Sequence, residues 1–212
     1  MGKIVYLMGK SSSGKDTIFK RLLADKSLGL KTIVPYTTRP IRSGEQNGLE
    51  YFFTDEEGYQ KLKEKGRIIE ERAYQTFHGL WRYFTIDDDR IHWDEQNYIM
   101  IGTLQAYLKM KDYFGEDKML PVMIELDDGV RLERALRRER KQKQPRYEEM
   151  CRRFLADSED FSEEKIREAD IRCRFRNDDL ESCLAEISAY INSEGDTQSK
   201  SGILSTSFPP CN

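Results

Sequence analysis

Ile4-Val5-Tyr6-Leu7-Met8-Gly9-Lys10-Ser11-Ser12-Ser13-Gly14-Lys15-Asp16-Thr17 is the stretch on which the fold turns. Its first five residues make a short, β-rich apolar run closed by Gly9, which predicts a buried strand and not a helix. Beyond Lys15 the apolar residues Ile18, Leu22 and Leu23 recur at helical spacing. Strand, glycine-rich turn and helix therefore follow one another directly. In that order Gly9, Ser11, Ser12, Ser13 and Gly14 form a phosphate-cradling loop: glycines let consecutive backbone N–H groups curl around phosphate oxygens. The helix N-terminus adds partial positive charge, and Lys15 reaches the transferring phosphates. Polyphosphate binding is the expectation. Asp16 stands where this loop pattern has Ser or Thr for magnesium, and Thr17 comes one place later. Two readings of Asp16 stay open. As a hard oxygen ligand it can coordinate Mg²⁺, or it is a helix-terminal carboxylate stabilised by the dipole.

Further buried strands are expected at Thr32 to Pro35, Tyr98 to Ile101, Pro121 to Ile124 and Ile171 to Phe175, with helical patterns between them. Alternating strands and helices predict a three-layer α/β fold with a parallel sheet. Two stretches interrupt the alternation, 36–93, aromatic and charged, and a very basic helical run from Arg131 to Arg146. They are expected to stand as lobes over the carboxyl edge of the sheet. The core would then comprise 1–35, 94–130 and 154–192, with one lobe at 36–93 and a second at 131–153. The Ser-, Thr-, Gly- and Pro-rich tail 193–212 is expected to be disordered.

A chain of 212 residues suits one domain with inserted lobes. With 34% charged residues but a net charge of only -3, neither nucleic-acid affinity nor an acidic solvating tail follows from composition. Cys151, Cys173, Cys183 and Cys211 make no metal-ligand pattern, which disfavours a structural zinc site and fits a reducing cytoplasm. No run of apolar residues is long enough for a membrane span.

A second constellation runs Thr37-Thr38-Arg39-Pro40-Ile41-Arg42-Ser43-Gly44-Glu45-Gln46-Asn47-Gly48-Leu49-Glu50-Tyr51-Phe52-Phe53. Two arginines three apart, with Glu45 and Tyr51 nearby, can grip a phosphate through charge-assisted hydrogen bonds. This TTRxxRxGExxGxxYxF pattern, with its distance from the phosphate loop, resembles the acceptor segment of guanylate kinases, and the resemblance spans about residues 1 to 192. It implies a P-loop nucleoside monophosphate kinase that moves the γ-phosphoryl of ATP to GMP with Mg²⁺. By the same resemblance Glu70 reads guanine, Tyr83 joins Arg39, Arg42, Glu45 and Tyr51 on the acceptor phosphate, and Asn177 of the Asn177-Asp178-Asp179-Leu180 segment lies near adenine. The resemblance also makes 36–93 a monophosphate-binding lobe and 131–153 a lid whose arginines would close over the donor phosphates, with Arg138, Arg140, Arg152 and Arg153 as candidates. Lys15, Arg42, Arg138 and Arg152 are the expected catalytic set. His78 and Trp81 read as packing residues.

Besides Asp16, the chain departs from the family at two places. Ile101-Gly102-Thr103 stands where an Asp-rich strand end would assist magnesium and the guanine amino group, and Pro35 where a serine would contact guanine. On the metal-ligand reading Asp16 would stand in for the missing acid, and an Asp restored at Ile101 or Thr103 should then rescue an Asp16→Ser variant. Lost hydrogen-bond partners weaken base discrimination. Two alternatives therefore stay open: a kinase of the same fold acting on another phosphorylated acceptor, and a non-catalytic module whose acceptor site holds a phosphopeptide.

Overall fold

The structure is a computed structural model that describes residues 2–42, 44–76, 79–88, 91–92 and 95–196. Strands in chain order are β1 (Ile4–Met8), β2 (Lys31–Thr32), β3 (Tyr36–Thr37), β4 (Phe52–Phe53), β5 (Ile68–Thr76), β6 (Gly79–Ile86), β7 (Tyr98–Ile101), β8 (Met119–Glu125) and β9 (Arg174–Arg176). Helices are α1 (Lys15–Ala24), α2 (Glu56–Glu64), α3 (Leu104–Phe114), α4 (Asp128–Glu139), α5 (Tyr147–Asp160), α6 (Glu163–Glu168) and α7 (Leu180–Asp196).

β1 lies at the centre of a parallel five-stranded sheet in the order β2-β7-β1-β8-β9. All five of its residues are buried, as a parallel strand covered on both faces requires. Alternation sends Ile4, Tyr6 and Met8 into one apolar cluster with Leu104, Tyr107 and Met110 of α3 and Ile166 of α6. Val5 and Leu7 enter the opposite cluster with Ile18 and Leu22 of α1 and Cys183, Ile187 and Ile191 of α7. The result is the expected helix, sheet, helix sandwich. No described helix is long and apolar enough to cross a membrane.

Four local expectations shift. The strand predicted at Thr32 to Pro35 ends at Thr32, and the Pro35 carbonyl instead accepts from Phe52 N at 2.9 Å, handing the chain to a second sheet ordered β4-β3-β6-β5. The strand predicted at Ile171 to Phe175 begins at Arg174, because Asp170 takes a left-handed turn and Ile171 packs back into the first cluster. The basic run is not one helix: α4 stops at Glu139 and α5 begins at Tyr147, with Pro145 in the connection. At the far end α7 continues to Asp196, four residues into the tail; 197–212 lie outside the described residues.

The second sheet is built on the antiparallel pair β5 and β6, with a register shift between Ile68 and Glu70. One face packs on α2 through Tyr59, Phe84 and Ile86. That leaves the other face, with Glu70, Arg72, Tyr74, Tyr83 and Thr85, turned toward the main sheet's carboxyl edge. His78 lies outside the described residues.

Candidate active site

The loop between β1 and α1 is shaped by two glycines. A Cβ on Gly9 would lie 2.4 Å from the Ile124 carbonyl oxygen of β8, and one on Gly14, at φ 96°, would lie 2.2 Å from Asn177 Nδ2. No side chain fits at either place. Ser12 is also left-handed, at φ 64°. Asn177 Nδ2 donates to the Ser13 carbonyl at 2.7 Å, so the segment after β9 braces the loop. The Ser12 and Ser13 hydroxyls are buried with no hydrogen-bond partner. Leaving such a group unpaired costs about 1–3 kcal/mol, which a polar ligand would recover. Gly14 caps α1 without a side chain, leaving the helix's first amides without that partner. Lys15 folds back, Nζ to the Lys10 carbonyl at 3.4 Å. Burial holds its pKa below the ordinary lysine value, while Asp16 and Asp157 pull the other way. Asp16 and Thr17 are exposed on the first turn of α1, and the Asp16 carboxylate makes no hydrogen bond or ion pair among the described residues.

The lid reaches the loop at Ser11. Arg131, only 1% exposed, donates Nε to the Ser11 carbonyl at 2.9 Å and Nη2 to Asp157 Oδ2 at 3.1 Å, pairs with Asp128, and covers the Phe154 ring. Asp157 accepts from the Ser11 amide at 2.8 Å and its hydroxyl at 3.3 Å. Arg153 Nη2 also donates to Ser11 Oγ, at 3.3 Å. Arg153, not Arg152, is therefore the lid arginine at the loop: Arg152 is held bidentately by Glu149, both bonds 2.7 Å, on the surface of α5. Arg138 is exposed and carries no ion pair among the described residues. Neither the buried prop Arg131 nor Asp157 was singled out by residue type. A charge run shows no burial, and Asp157 sits in an otherwise ordinary amphipathic helix.

The acceptor segment is brought together on the second sheet. Arg39, 3% exposed, pairs with Glu45, Nη1 to Oε2 at 2.7 Å and Nη2 to Oε1 at 2.6 Å, and Nη1 also donates to the Pro40 carbonyl. Its guanidinium lies 5.1 Å from the Tyr51 ring centre and 5.3 Å from that of Phe53. The Arg39 bonds, with the Arg42 amide at 2.8 Å, hold the Glu45 carboxyl down at about 2. Arg42 itself is exposed, with a guanidinium free of ion pairs among the described residues. Tyr83 sits edge-on to Tyr51 at 5.7 Å and to Tyr74 at 5.8 Å. Burial raises the Tyr51 phenol's pKa, keeping it a neutral donor. Arg39 is thus largely committed to Glu45 as a scaffold, and Arg42 is the arginine left open.

Glu70, 2% exposed, accepts from Thr85 Oγ1 at 2.9 Å and from Arg72 Nε at 3.1 Å. Arg72 Nη1 donates to Thr103 Oγ1 at 3.4 Å, and the Gly102 amide donates to the Leu7 carbonyl at 3.1 Å. Through Thr103 the inner end of the acceptor face meets the carboxyl end of β7, one strand away from the loop that leaves β1. Arg72 and Thr85 were missed in the sequence. The signal was available in the two-residue spacing of Glu70 and Arg72 on one strand face.

A family model described as guanylate kinase matches residues 1–81. The chain is 30% identical over 190 residues to a guanylate kinase of Porphyromonas gingivalis, covering 88% of this chain and 95% of that protein. It is 30% identical over 136 residues to one from Caldanaerobacter subterraneus subsp. tengcongensis, 61% of this chain and 64% of that protein. The crystal structure of guanylate kinase from Anaplasma phagocytophilum shares the fold, with a TM-score of 0.61 at 20% identity over 91% of this chain and 86% of that one.

Proposed function

This chain belongs to the guanylate kinase family, and from that membership we propose that it transfers the γ-phosphoryl group of ATP to GMP, giving ADP and GDP. The observation that carries the reading is the pair of anion-seeking surfaces at one sheet edge. On one side stands a glycine-pinched loop with two partnerless buried hydroxyls, on the other the Arg42, Tyr51 and Tyr83 face braced by Arg39 and Glu45.

The work assigned to the residues is positioning and electrostatics. Backbone amides of 12 and 14–16 and the Lys15 ammonium hold the donor phosphates, and Asn177 fixes the loop near the adenine. Arg42, with Tyr51 and Tyr83, orients the acceptor phosphate so that one of its oxygens attacks in line, while ADP leaves against Lys15. Residues 131–153 close as a lid, bring Arg153 over the loop, and exclude the water that would otherwise take the phosphoryl group. Mg²⁺ would neutralise developing phosphate charge. Asp16 suits it as a hard oxygen ligand, since its carboxylate is exposed and unpartnered beside the loop.

A coupled assay of ADP formation with GMP, dGMP, AMP, CMP and UMP tests the proposal. ADP should appear with GMP and dGMP above the rate with ATP alone. Turnover led by a different monophosphate would move the chain to the other-acceptor reading, and none at all would leave the phosphopeptide-binding module.

A further inference from the structure

Arg72 lies two residues past Glu70 on β5, so both side chains leave the same strand face. Its Nε donates to Glu70 Oε2 at 3.1 Å, its Nη2 to Oε1 at 3.4 Å, and its Nη1 to Thr103 Oγ1 at 3.4 Å. Thr85 adds a bond to Oε1 at 2.9 Å. A carboxylate has about four lone-pair sites, so Glu70 keeps about one for a ligand. Arg72 keeps one N–H on each terminal nitrogen, with no partner among the described residues. Its side chain is 15% exposed and that of Glu70 1%, so the pair is held inside the fold and is not a solvated surface bridge. The wall behind it is neutral. Burial pushes the Tyr6 phenol well up, and its hydroxyl donates to the Thr103 carbonyl at 3.2 Å. Thr103 Oγ1 already accepts from the Ala106 amide at 3.2 Å as well as from Arg72.

The inner end of the acceptor face therefore offers more donors than acceptors: two guanidinium N–H groups against about one carboxylate lone pair. A 6-oxopurine fits that count. Its O6 and N7 accept from an arginine, and its N1–H supplies the single donor that Glu70 can still accept. A 6-aminopurine would point an N–H donor at the Arg72 donors and lack the N1–H, leaving buried groups unpaired on both sides. An exocyclic 2-amino group would find the second carboxylate oxygen already held by Thr85 and Arg72.

We propose that Arg72 is the specificity-determining residue for the acceptor base, selecting a 6-oxo group while leaving the 2-amino group largely unread. This rests on the kinase reading above and deepens it. GMP and IMP should then be similar substrates, and AMP a poor one.

The test is kcat/KM for GMP, IMP and AMP in wild type, Arg72→Met and the double variant Glu70→Gln with Arg72→Met. The wild-type GMP to IMP ratio should stay below about tenfold and the GMP to AMP ratio should reach about 100-fold, the scale of a buried charged donor left unpaired. Arg72→Met should lower kcat/KM for GMP and IMP by about 10- to 100-fold and raise that for AMP, whose 6-amino group no longer faces unpaired guanidinium donors. The double variant leaves no unpaired buried carboxylate, so it guards against simple loss of folding and should show the same collapse of the 6-oxo preference. A wild-type GMP to IMP ratio above about tenfold, or a double variant that keeps the GMP to AMP ratio, overturns the proposal. Wild-type enzyme that phosphorylates none of the three would remove the kinase reading, and this inference with it. Turnover of GMP with the wrong ratios removes this inference alone.

Discussion

Arg39 and Glu45 face each other through two parallel N–H···O bonds of 2.7 and 2.6 Å, with the guanidinium over the rings of Tyr51 and Phe53. Charge-assisted, bidentate and shielded on the arginine side, this pair sets the shape of the loop that presents Arg42. It belongs to the scaffold of the acceptor site more than to its contact surface.

Glu45→Gln should therefore destabilise the fold by about 1–2 kcal/mol at pH 7, a value discounted for the partial exposure of the carboxylate. The pH dependence has a fixed sign. Because the folded carboxyl sits at about 2, below its ordinary 4.5, its contribution is present above 4.5 and lost as pH falls toward 2. Urea denaturation between pH 7 and 2.5 should show wild type converging on the variant; parallel curves would mean that Glu45 carries no such linkage.

Arg42→Ala should act on transfer and not on the donor. Its guanidinium has no ion pair to lose among the described residues, so the fold should hold. The loss of a charge-assisted phosphate contact should lower kcat/KM for GMP by about 100-fold or more, while the Kd for ATP stays within about twofold. Equal losses in both quantities would contradict the role assigned to Arg42.

The central strands, the loop and the acceptor motif were legible because each is local: an apolar run, a glycine spacing, a string of seventeen residues from Thr37 to Phe53. What escaped was set by distant contacts. The 131–153 sequence shows many arginines. Only the packing of α4 and α5 about the loop buries Arg131 under Ser11 and brings Arg153 to the Ser11 hydroxyl, while Arg152 pairs within α5 with Glu149. Likewise Arg72 becomes a site residue through Thr103, 31 positions away in sequence.

Arg153 and Arg152 separate the two registers of the lid. Arg153→Met should reduce kcat by about 10- to 100-fold, as removal of a preorganised donor near transferring charge does, whereas Arg152→Met should stay within about twofold. Steady-state rates at saturating ATP and GMP decide it. A larger effect at Arg152 would mean that lid closure rotates α5 far from the arrangement seen here.

Gly14→Ala probes the loop. The added methyl would meet Asn177 Nδ2 at 2.2 Å and would hold a non-glycine residue at φ 96°. ATP affinity should fall by about 100-fold or more, from strain and collision together. Adding Asn177→Ala removes the collision but not the dihedral strain, so the double variant should recover part of the ATP affinity and not all. Full recovery would mean that the backbone at residue 14 is unstrained, and no recovery that Asn177 is not the obstacle.

Asp16 decides how this chain handles its metal. Its carboxylate is exposed on the first turn of α1 with no hydrogen bond or ion pair among the described residues, so replacing it removes only its charge beside Lys15. If it holds Mg²⁺, Asp16→Ser should raise the magnesium concentration for half-maximal turnover several-fold. If it only favours the helix dipole, the titration should be unchanged and stability should fall by about 0.3–1 kcal/mol. The sequence suggested that an acid restored at Ile101 or Thr103 would rescue this variant, but the structure argues otherwise. Ile101 packs with the Val5 and Leu7 cluster, so an Asp there would be partly buried among apolar side chains. At Thr103 an Asp could still cap α3, but Arg72, already bonded to this position, would hold the new carboxylate. Asp16→Ser with Thr103→Asp should therefore keep the raised magnesium requirement and lose GMP turnover as Arg72 is drawn from the base. Return of the wild-type magnesium titration in that double variant would show the β7 end to be open to the metal.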